Sequence, residues 1–174
     1  MIGRIARRDQ EPSGRGQELL RRHPVRSGEK ALAGAALADG SAAVGTREAL
    51  YVGERRIPWE SVERADWDAE TSTLHVLGVG SWGDPRPTYD LELPDPGRLL
   101  QLVRERVTAS VVLQRHVAVE GRRGFYVIAR RAPTGGNATL TWLYEFDEGI
   151  DPEDPEVARL AEAALEVARG EVGD

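Results

Sequence analysis

The chain has 174 residues, 40% hydrophobic and 30% charged, with a net charge of −6. That is a globular balance, which excludes general disorder and leaves room for one compact domain or two small ones packed together. The absence of cysteine removes disulfides, thiolate metal sites and a cysteine nucleophile at once.

No apolar run approaches the roughly 18 residues of a membrane-spanning helix. Residues 1–16 are Arg-rich without the apolar core of a secretory signal, so a cytoplasmic protein with no membrane span is expected. Charge comes in blocks: +4 over 1–30, −6 over 31–100, +5 over 101–132 and −9 over 133–174. Such alternation points to electrostatic complementarity, internal or with a partner, more than to polyanion binding. Of 23 basic residues only Lys30 is lysine. That bias suits a GC-rich genome and lowers the weight of any arginine cluster.

In chain order, residues 1–28 mix charge with Pro12, Gly14, Gly16, Pro24 and Gly28 and read as a flexible N-terminal arm, with one or two helical turns at 17–22. From residue 29 the texture changes. A run of small apolar residues at 31–38 meets Asp39-Gly40, a favoured hairpin turn. Residues 41–46 and 49–52 follow as strands, Gly53-Glu54 breaks the chain, and Pro58 marks 56–59 as an edge or strand end. In 73–79 the alternation places Leu74, Val76 and Gly78 on one face, and in 88–93 Tyr89, Leu91 and Leu93 share a face. Turn signals every 8–12 residues or so predict a meandering antiparallel sheet or barrel. Asp95-Pro96 is read as the cap and first position of a helix with Leu99, Leu100, Val103, Val107 and Val111 near a 3.6 period. The last third alternates again: a strand ending at Val117 and Val119, a turn at 121–124, returning strands at 125–129 and 139–146, and an acidic helix start at 151–155. The helix carries Val157, Leu160, Ala161, Ala164, Leu165 and Ala168 as its stripe and ends at Gly170 and Gly173.

The run Val44-Gly45-Thr46-Arg47-Glu48-Ala49-Leu50-Tyr51-Val52, the run Arg56-Ile57-Pro58-Trp59-Glu60-Ser61-Val62-Glu63, the strand pair after them and the helix at 95–112 together resemble bacterial pleckstrin-homology-like (PH-like) domains. The whole chain is similar to actinobacterial proteins of that type. The resemblance covers about half the chain. It implies an α+β fold in which residues 29–112 form an antiparallel PH-like β-barrel or sandwich closed by a helix. Residues 113–174 then form an added β-β-β-α unit packed on the first. It implies a scaffold role and supplies no catalytic residues.

Several motifs invite chemistry. Residues 78–83 match G-x-G-x-x-G, but Asp84-Pro85-Arg86-Pro87 cannot start the helix a dinucleotide site needs. The segment reads as a strand-connecting loop with Trp82 at its tip, a candidate partner anchor or a residue folded back on the barrel. His23, His75 and His116 are far apart in sequence without a carboxylate at ligand spacing, and read as packing or surface residues. Trp59, Trp67 and Trp142 read as core. The acidic stretch 145–154 lacks the spacing of a calcium loop. Arg115, Arg122, Arg123, Arg130 and Arg131 sit where one hairpin can gather them, as a phosphate or acidic-peptide site or as a solvated face. Trp82, Arg122, Arg123 and Arg130 are therefore the candidate binding residues, with no catalytic, metal or cofactor site. The expected function is a non-catalytic protein-interaction or scaffold module, not an enzyme. Its partner is another protein, with a homodimer kept open. Polyanion binding (RNA or anionic lipid headgroup) through the hairpin arginines is one alternative, disfavoured for nucleic acid by the acidic net charge. A small-molecule binder or enzyme with a pocket between the two units is another.

Overall fold

The computed structural model describes residues 14–80, 85–134 and 139–173. The chain is mixed α+β, with three antiparallel sheets and few helices. After helix α1 (Gly14–Arg22), strands β1 (Ala33–Ala36), β2 (Ala42–Gly45), β3 (Ala49–Val52) and β4 (Arg55–Pro58) form one sheet in sequence order. A single 3-10 turn (Trp59–Ser61) leads to a second sheet of β5 (Val62–Asp68), β6 (Thr73–Gly78) and β7 (Thr88–Glu92), also in sequence order. Helix α2 (Leu99–Ser110) runs directly into β8 (Val111–Glu120), which with β9 (Arg123–Arg130) and β10 (Thr141–Phe146) makes a third sheet, ordered β10-β9-β8. Helix α3 (Pro155–Val172) follows.

The small apolar run read at 31–38 has no long polar face because both faces of the first sheet meet apolar partners, with Leu32, Ala36 and Ala38 left exposed. Ala43 and Leu50 join a core with Leu99, Leu102 and Val103 of α2. Val44, Ala49 and Tyr51 pack instead against Leu20, Val25 and Ala31. Glycine makes both approaches close. A β-carbon at Gly45 would lie 2.6 Å from Leu102 Cδ2, and one at Gly34 would lie 3.1 Å from Leu20 Cδ2. Residues 14–28, expected to belong to a flexible arm, therefore include a helix laid on the sheet. Arg26 N donates to the Tyr51 hydroxyl (3.0 Å), and the His23 ring meets Tyr51 edge-on.

Of the expected barrel or sandwich, no closed sheet forms among the described residues. The first two sheets instead meet through single bonds, such as Ala38 N to Glu92 O at 3.0 Å. Their corner is Trp59, fully buried, whose Nε1 donates to Thr46 O (3.1 Å). The cause is local. β4 ends at Pro58, which cannot extend a ladder, and the 3-10 turn redirects the chain before β5. Helix α2 packs into the angle between these sheets, sharing a core with Leu74, Val76, Leu91 and Leu93.

The α2 boundaries also differ from the reading at Asp95-Pro96. Gly97 has φ +50, a left-handed conformation that a right-handed helix cannot contain, so the helix starts at Leu99 with Arg98 as N-cap and no side-chain cap bond. Val111, read as its last stripe residue, is already in β8. At α3 the cap is Asp154, whose carboxylate accepts from Glu156 N and Val157 N with proline at the first helical turn. The helix runs through Gly170 and ends at the left-handed Gly173. Among the described residues, no helix is long and apolar enough to cross a membrane.

Candidate functional site

The third sheet has two unlike faces. Paired residues share a face, so Leu113, Ala129 and Trp142, then Arg115, Val127 and Tyr144, then Val117, Phe125 and Phe146 form three rows. Helix α3 covers this face. Val157, Leu160, Ala161, Ala164, Leu165 and Ala168 share a core with Phe125 and Val127, the Tyr144 hydroxyl donates to Ala161 O (3.0 Å), and Arg115 pairs with Glu171. Burial raises the Tyr144 phenol above its ordinary range. The opposite face carries Gln114, His116, Ala118, Tyr126, Ile128 and Arg130.

Arg130 is 5% exposed and is the joint between the third sheet and the rest of the chain. Its Nη1 donates to Val107 O (3.1 Å) and Ser110 Oγ (2.8 Å), and its Nη2 donates to Glu63 O on β5 (2.7 Å). Two of these acceptors lie at the C-terminal end of α2, where unpaired carbonyls and the helix dipole favour a cation. Burial pulls the guanidinium below its ordinary range, opposed by the charges of Glu63 and Glu145. The Glu63 side chain is 7% exposed and pairs with Arg86 at 2.7 Å. Burial raises its carboxyl, partly offset by Arg86. The Arg130 Nε has no hydrogen-bond partner among the described residues. Arg130, expected as a binding residue, is thus a structural clasp with its charge withdrawn from solvent.

The other arginines do not gather round it. Arg122 and Arg123 lie at the far end of β9, about 23 Å away at ~3.3 Å per strand residue. Arg123 is held by Glu120 (2.8 Å), Arg115 by Glu171, and Arg122 is exposed at the turn. Extension of the hairpin, which sequence proximity conceals, separates them. Trp82 lies outside the described residues. Of the motif around it, Gly78 belongs to β6, with its N–H donating to Pro87 O (2.7 Å), and the next described element is strand β7.

Two histidines have carboxylate partners that sequence spacing did not reveal. His75 Nδ1 is 2.6 Å from Asp90 Oδ1, directly opposite on β7. His116 Nε2 is 3.1 Å from Asp147 Oδ2, and its ring lies 4.7 Å from that of Tyr126. Asp147 Oδ2 also accepts from Gly124 N (2.7 Å). The Gly124 N–H, then His116, hold the carboxyl below its ordinary range. Only strand register, set by turn geometry, brings these pairs together. The first is an exposed cross-strand pair and the second a partly exposed pair between β8 and the chain just after β10, and among the described residues no group of three or more His, Asp and Glu is arranged to hold a metal ion. Trp59 is buried as expected, and Trp67 and Trp142 are half-buried.

The surface that stands out is an edge. β8 is the outer strand of its sheet and runs ten residues, against a common strand length of about five or six. None of its residues is fully buried, whereas in neighbouring β9 six of eight are. Its half-buried Leu113, Val117 and Val119 belong to the α3 core yet remain partly open along the edge. Open strands of this length are ready templates for another chain. Comparison of the sequence and structure with protein-family models, curated proteins and solved structures finds no match.

Proposed function

We propose that the chain is a non-catalytic protein-interaction module of the cytoplasm, with residues 29–112 as a PH-like scaffold and the β8 edge as its contact surface. Four antiparallel strands, then three, then a helix packed between the two sheets is the element order of such a scaffold and supports this reading. The observation that carries the contact surface is the ten-residue open edge of β8, where main-chain groups supply affinity and alternating side-chain positions supply selectivity. Polyanion binding keeps less support, because Arg130 is buried and Arg123 is engaged by Glu120.

A photo-crosslinking residue placed at Gln114, in a tagged chain expressed in the source organism, tests the proposal. A covalent adduct to protein that disappears when the edge is blocked by Ala118→Lys is the expected result. Adducts to RNA alone would turn the reading toward the polyanion alternative. The absence of any stoichiometric protein adduct would overturn the proposed function.

A further inference from the structure

The edge that carries the proposed function also has a self-complementary pattern, and we infer that it pairs with the β8 strand of a second copy of this chain. The inference rests on the reading of β8 as the contact surface and goes beyond it by naming the occupant. Two copies of one edge strand meet antiparallel about a two-fold axis normal to the sheet, so the interface is isologous and opposite residues share a face. The ladder to β9 is irregular between Val111 and Leu113 and again between Ala118 and Glu120, which leaves 113–118 as the regular stretch available to a partner.

Centring the axis on Arg115 or on His116 keeps the most of that stretch paired, and charge decides between the two. Centring the axis on Arg115 would set two guanidinium groups opposite one another, a destabilising pair. Centring it on His116 sets Gln114 opposite Ala118 and Arg115 opposite Val117, all within the regular stretch. The partly open Leu113 and Val117 of each copy then lie diagonally across the seam from those of the other, covering the core that α3 leaves half-covered at the edge. Each Arg115 already holds Glu171. In this register the two Arg115–Glu171 pairs come within diagonal reach across the seam, two cations and two carboxylates on the α3 face. The result is a continuous six-stranded sheet with both α3 helices on one side. On the other side the two His116–Asp147 pairs flank the axis.

Sedimentation equilibrium of the full chain, in moderate salt at neutral pH, is the test. The expected result is twice the mass of one chain. Gln114→Lys with Ala118→Lys puts lysines opposite each other twice, and should weaken the dimer by about tenfold or more. Gln114→Glu with Ala118→Lys, which makes the same positions complementary, should restore it. Both pairs are exposed positions on a folded hairpin, and each variant is checked against the native thermal melt. Because the chain has no cysteine, His116→Cys gives an independent readout: oxidation should yield a single disulfide-linked dimer. A native chain that sediments at the mass of one copy overturns the inference. So does a dimer indifferent to the lysine pair while His116→Cys stays unlinked. Either result leaves a Gln114 adduct to a different protein standing as support for the broader proposal.

Discussion

The region up to Ser110 and the region after it solve the same problem, a sheet stoppered by a helix, with different margins. In the first, α2 lies in the angle between two sheets, and Trp59, Leu50, Val62, Leu93 and Leu99 are all fully buried. In the second, α3 covers one face of a single three-stranded sheet, and the aromatic and aliphatic residues around Phe125 and Val127 stay largely half-buried. A core shared between two sheets and a helix can close with small residues, Ala33, Ala35 and Ala43 among them. A lone sheet of three strands needs larger side chains, and still leaves an edge. The second region therefore depends on what borders it: the Arg130 clasp on one side and, by the inference above, another copy of β8 on the other.

The sharpest way to break the second region alone is at its hairpin. A β-carbon at Gly124 would sit 1.8 Å from the Val117 carbonyl oxygen and 2.9 Å from the Ala118 Cα, so the backbone itself must move. Gly124→Ala should cost roughly 3 kcal/mol or more, read as a drop in denaturant midpoint. The loss should be concentrated in hydrogen exchange of β8, β9 and β10, with the first two sheets protected as before.

A smaller and different effect is expected at the joint. Arg130→Ala strips the donor from the buried Ser110 Oγ and from the part-buried Glu63 O and Val107 O, whose desolvation then goes uncompensated. The loss should be about 2 kcal/mol, and it should decouple the two regions, visible as two unfolding transitions by calorimetry where the native chain shows one. Arg130→Lys should recover little, since one ammonium cannot reach acceptors on α2 and β5 with the geometry of the fork.

The smallest effect sharpens the comparison through pH. Asp147 titrates below its ordinary value in the fold, so its contribution is present above the usual carboxylate range and is lost as pH falls through the lowered value. Asp147→Asn should lower the melting temperature at neutral pH and leave it unchanged in strong acid. The difference between native and variant melts should shrink as pH drops below about 3.9, the unperturbed aspartate value. A gap that persists in acid would mean that the amide disturbs the Gly124 contact by shape alone.

Much of the strand pattern was legible in the residues, because period-two alternation reports a half-buried strand directly. Leu74, Val76 and Leu91 illustrate this, and the start of α3 was equally readable from Asp154-Pro155. The α2 boundaries were not, since Asp95-Pro96 is good cap chemistry and only the left-handed Gly97 displaces the helix start. The separation of the hairpin arginines was not legible either, for a physical reason. Arg122, Arg123 and Arg130 are near in sequence, but an extended strand carries its ends apart and drives the last of them into a seam made by Val107, Ser110 and Glu63.

From composition and periodicity alone follow a cysteine-free α+β chain, the alternation of strands before each packed helix, and the apolar faces those strands must hide. These are local properties, fixed by which side of each element water can reach. Tertiary structure alone decided that the first two sheets stay open, that Arg130 clasps the third sheet to α2 and β5, that His75 and His116 each meet an aspartate, and that β8 is the outer strand of its sheet among the described residues. Each of these depends on strand register and strand order, which are set by contacts between residues distant in the chain and leave no periodic trace in it.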